Sequence, residues 1–62
     1  MRPSDYVEKL LGPIPESSQP KNEWQAHFLE SETRNLVYMN GEDWVRKNRK
    51  FLLAQLSYIW SL

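Results

Sequence analysis

The chain has no cysteine, only two glycines and a single histidine in its 62 residues, and no excess of either charge, since eight Lys and Arg balance eight Asp and Glu. Each shortage excludes something. Without cysteine there is no disulfide to staple a small scaffold, and a zinc site would have His27 alone to start from, with its other ligands borrowed from another chain. No metal or other cofactor is therefore expected. Two isolated glycines, Gly12 and Gly41, do not make a phosphate-cradling loop. A net charge of zero gives the molecule no field that draws it toward nucleic acid or an anionic bilayer, so any such contact has to come from a local cluster. Residues 51–62 are the most apolar stretch. They are interrupted by Gln55, Ser57 and Ser61 and fall short of the ~20 residues that span a bilayer. Met1-Arg2-Pro3 runs straight into Asp5 and Glu8 without the apolar region of a secretory leader. Together with the missing cysteines this gives a cytoplasmic location as the expectation.

A chain of this length buries only about 60% of the surface of its unfolded form, so one small domain, 1–62, is the most it can build. The large side chains needed for a core are present: three Trp, three Tyr and two Phe. With no disulfide to help, a partner chain is a reasonable additional source of stability.

Asp5, Tyr6, Val7, Glu8, Lys9, Leu10 and Leu11 read as a two-turn helix capped by Ser4 and stopped by Gly12 and Pro13, giving a first segment over 1–12. Three of the four prolines then fall in 13–22, which reads as an extended linker, either a loose tether or a surface strap anchored by Ile14. In the next segment, Trp24, Ala26 and Phe28 alternate with Glu23, Gln25 and His27 at the period of a strand. Asn22 with Gln25 resembles a capping box, and Trp24 and Phe28 are also four apart, which favours a helix. The wholly polar run Glu30-Ser31-Glu32-Thr33-Arg34-Asn35 suits a turn, and Leu36-Val37-Tyr38-Met39 before Asn40-Gly41 reads as a second strand. The expectation is a β-hairpin over 23–40, with 23–30 paired to 35–40. From Glu42 onward, acidic residues in the first turn and an absence of Gly and Pro predict one long amphipathic helix over 42–61. The expected fold is α+β: short helix, linker, hairpin and long helix. An all-α arrangement of three helices is the alternative.

No catalytic constellation assembles. Ser57 and Ser61 have no base at helical spacing, and the pairs Glu30/Glu32 and Glu42/Asp43 suit a turn and a helix N-terminus. The expectation is a protein that is not an enzyme. One local charge feature stands out: Arg46, Lys47, Arg49 and Lys50 place four of the eight basic residues within five positions. They make a possible phosphate or nucleic-acid contact, but they equally form a solvated face, because Glu42 and Asp43 stand four residues before Arg46 and Lys47. The second half of the last helix is apolar around most of its circumference. Trp44, Phe51 and Tyr58 recur every seven residues beside the stripe of Val45, Leu52, Leu56 and Ile59. That is more apolar surface than a hairpin and a short helix cover. The functional expectation is a small regulatory or interaction module that binds itself, as a dimer or larger homo-oligomer, or another protein. Its contact surface is Phe51, Leu52, Leu56, Ile59 and Trp60. Nucleic-acid binding through 46–50 is the second reading.

Overall fold

The computed structural model describes residues 2–62. It contains four helices, α1 (Pro3–Leu11), α2 (Glu23–Asn40), α3 (Glu42–Lys47) and α4 (Arg49–Ser61), with a single 3₁₀ turn at Glu16–Ser18 between the first two. No strand occurs among the described residues, so the α+β expectation is wrong and the fold is all-α.

The hairpin is replaced by one 18-residue helix, α2, and its cap explains why. Asn22 Oδ1 accepts from the Gln25 amide at 2.8 Å, and Gln25 Oε1 accepts from the Lys21 amide at 2.7 Å. Two donors at the helix start are thereby satisfied by side chains, as in a capping box. Trp24 and Phe28, which suggested a strand, stack one turn apart with centroids 5.5 Å apart. The polar run does not break the helix because α2 has only one face to bury. Leu29 and Thr33 are buried, Leu36 and Val37 are half-buried, and the residues between them are mostly in water. Glu30 and Arg34, one turn apart, approach to 3.5 Å. Asn40-Gly41 ends this helix instead of turning a hairpin: Gly41 takes φ 91° and its amide donates to the Val37 carbonyl at 2.8 Å. That φ is open to glycine and strained for other residues.

The expected long C-terminal helix is divided at Asn48. The Asn48 amide is shared between the carbonyls of Trp44 and Val45 at 3.1 and 3.2 Å, and its side-chain amide donates again to Trp44 at 2.7 Å. Asparagine competes with helical hydrogen bonding in this way. The backbone leaves the helix at φ −100°, ψ 18° and re-enters it one residue later.

The proline-containing segment is packed down. Ile14 and Ser18 are buried; Ser18 Oγ donates to the Leu53 carbonyl at 2.7 Å, and Gln19 Nε2 donates to Ile14 at 3.0 Å. The core is formed by Val7, Leu10, Leu11, Ile14, Leu29, Val45, Leu53 and Leu56, so every helix contributes to it. Helix α1 begins at Pro3, a favoured first helical residue, and Ser4 is buried within it. Asp5 accepts from the Arg2 amide at 3.1 Å.

Candidate interaction surface

Helix α4 carries two apolar stripes. Leu53 and Leu56 face the core, and Trp60, on the same side, is half-buried. The Trp60 indole donates to the Ser18 carbonyl at 2.8 Å and meets Phe28 edge-on with centroids 5.9 Å apart. Of the five residues expected at an interface, Leu56 and Trp60 are thus engaged within the chain. Leu52 and Ile59 are half-buried along a narrow cleft of about 70 Å³ between α2 and α4, whose lining includes Leu11, Leu29 and Leu36. Phe51 points outward and is 63% exposed.

On the outer side Phe51 has company that the sequence reading did not select. Tyr58 is 66% exposed and Leu62 87%, and Ala54 and Gln55 are exposed between them. Phe51, Gln55 and Tyr58 are spaced by four and three residues, which places them in one line along α4, and Leu62, just past its last residue, continues the spacing. No residue from 51 to 62 is charged. The signal was available in the sequence, in the seven-residue recurrence of Phe51 and Tyr58, but the strand assigned to 35–40 left it unclear which α4 stripe the core would occupy.

The basic cluster is split by its geometry. Arg46 Nε donates to the Leu10 carbonyl at 3.2 Å, and its other end lies 3.3 Å from Glu42. Arg49 Nε donates to Leu11 at 2.7 Å, and its Nη2 donates to Pro13 at 2.6 Å. These carbonyls are at and just beyond the C-terminus of α1, where helical partners run out and the helix dipole is negative. Two guanidinium groups therefore cap the first helix from the far end of the chain. Lys47 and Lys50 are exposed.

Elsewhere, an open depression of about 690 Å³ is lined by Glu16, Ser17, Lys21, Ser57, Trp60 and Ser61, with the Ser61 hydroxyl committed to the Tyr58 carbonyl at 2.7 Å. A smaller one of about 320 Å³ lies between the starts of α1 and α2, beside the exposed His27. No group of three or more His, Cys, Asp or Glu capable of holding a metal occurs among the described residues. Among the described residues no helix is long and apolar enough to cross a membrane. Compared with known proteins, the chain matches no family model, no curated protein and no solved structure, so no residue inherits a role from a relative.

Proposed function

We propose that this protein is a small interaction module that works by associating with itself through the outer face of α4. The observation that carries this reading is the exposed uncharged line of Phe51, Gln55, Tyr58 and Leu62 on a helix that already fills the core with its opposite side. Aromatic anchors of this kind are where interface energy concentrates, and the two exposed rings with Leu62 are apolar surface in water that association removes.

Nucleic-acid binding through 46–50 has less in its favour. Arg46 and Arg49, the residues able to fork onto phosphates or base edges, spend donors on α1 carbonyls, which leaves Lys47 and Lys50 on a neutral molecule.

Sedimentation or light scattering over a concentration series at low and high salt tests the proposal. A mass that rises to twice the 7.4 kDa of one chain, and does so regardless of salt, is the expected result. The double variant F51S/Y58S should stay at one chain mass and melt, at every concentration, as the wild type does when dilute enough to be monomeric. A wild-type chain that stays monomeric to millimolar concentration overturns the reading.

A further inference from the structure

We infer that the occupant of the outer α4 face is the α4 of a second copy lying antiparallel to it, an arrangement that rests on the self-association proposed above. The spacing of Phe51, Gln55, Tyr58 and Leu62 is that of the seam of a two-helix coil, in which apolar residues recur at alternating steps of three and four. In an antiparallel pair this line is its own complement: Phe51 of one copy faces Leu62 of the other, and Gln55 faces Tyr58, an amide beside a phenol.

Charge decides the direction. Lys50 directly precedes Phe51 on α4 and Lys47 ends α3 just before the break at Asn48, and both are exposed. A parallel pair would bring each of these lysines beside its own copy, like charge against like. An antiparallel pair carries Lys50 toward the last turn of the partner helix, where terminal carbonyls and the negative end of the helix dipole gather. The far half of the seam has no charge to oppose either lysine.

The exposed rings supply part of the area a dimer needs. At 63% and 66% exposure, Phe51 and Tyr58 still offer roughly 200–300 Å² per copy to a partner. Four rings in a symmetric pair thus contribute roughly 400–600 Å², a third to a half of the ~1,200 Å² at which stable interfaces begin. Ala54, Gln55 and Leu62 are exposed beside them and add to this area.

Because the chain has no cysteine, single introduced thiols report the geometry cleanly. In the antiparallel pair, Phe51 and its symmetry mate are about eleven residues apart along the axis, or ~16 Å at 1.5 Å per residue, and a disulfide needs Cα atoms within ~7 Å. Mild oxidation of F51C alone should therefore leave monomers, whereas a mixture of F51C and L62C should give the mixed disulfide as the main dimer. A Q55C and Y58C mixture repeats the test at the centre of the seam. If F51C links to itself and the mixtures do not, the pair is parallel and this inference fails while self-association stands. If the wild type never dimerises, both fail. If it dimerises but none of these positions links, another face is the interface, and the α4 reading and this arrangement fail together.

Discussion

Arg49 Nε lies 2.7 Å from the carbonyl oxygen of Leu11, so the first turn of the last helix closes the last turn of the first. The same guanidinium reaches Pro13 at 2.6 Å, and Arg46 reaches Leu10 at 3.2 Å. A basic cluster that reads in sequence as a solvated face or a phosphate contact is in half its members a clamp on α1. Hydrogen bonds from a charged donor contribute ~1.5–3 kcal/mol each before solvent screening reduces them.

R49A is expected to destabilise the fold by about 2 kcal/mol, which for a domain of this size lowers Tm by roughly 8–16 °C. R49K should recover less than half of that loss, because a lysine cannot fork between two carbonyls. The double variant K47Q/K50Q should move Tm little, within about 0.5 kcal/mol. Thermal melts followed by circular dichroism distinguish the three. Equal losses from the arginine and lysine variants would count against the clamp.

Neighbouring positions on α4 should respond in opposite ways. Ile59 is half-buried along the cleft with Leu11 and Leu29, so I59D puts a carboxylate against apolar walls and should cost about 2 kcal/mol or more. Y58D, one residue earlier and facing water, should leave urea unfolding of the monomer nearly unchanged while abolishing the concentration-dependent rise in mass.

Gly41 has φ 91° and ψ 158°, with open space where a Cβ would sit. The penalty in G41A is therefore conformational, about 1–3 kcal/mol, with no steric clash to add to it. Gly12, at φ 84° and equally unobstructed, should behave alike, and the denaturation midpoints of the two variants should fall together.

Ser18 is 3% exposed and bonds to the Leu53 carbonyl at 2.7 Å. S18A should cost about 1 kcal/mol by losing that bond. S18V, which adds volume in a packed site, should cost more. Chemical denaturation of the two variants checks the order.

How much of this was legible depends on the segment. The C-terminal end of α1 and the start of α3 follow from local chemistry, but Ser4, read as the cap of α1, lies inside the helix, which begins at Pro3 after Arg2. The error over 23–40 arose because α2 leaves Trp24, Tyr38 and Met39 in water, so its apolar residues do not keep to one helical face. The Asn22 and Gln25 cap was the better signal, since it depends on backbone donors that exist only in a helix. The break at Asn48 is a side-chain competition with no periodic signature. The outer line of α4 was present as a spacing, but which stripe faces the core depends on how α2 packs. That Arg46 and Arg49 reach α1 carbonyls depends on where α1 ends in space, which no local pattern encodes.

The long-range hydrogen bonds that fix the first third of the chain all come from its last third. Leu10, Leu11, Pro13 and Ser18 are joined to Arg46, Arg49, Leu53 and Trp60 across 35 to 42 positions. During synthesis, α1 and the proline segment leave the ribosome before any of those partners exists, with Leu10, Leu11 and Ile14 uncovered. Helices α1 and α2 can form early, but closure waits for α4, so contacts distant in sequence set the pace of folding even though no sheet is present. A nascent chain halted before Arg46 should be cut readily by protease within 12–22, and one extended past Trp60 should resist.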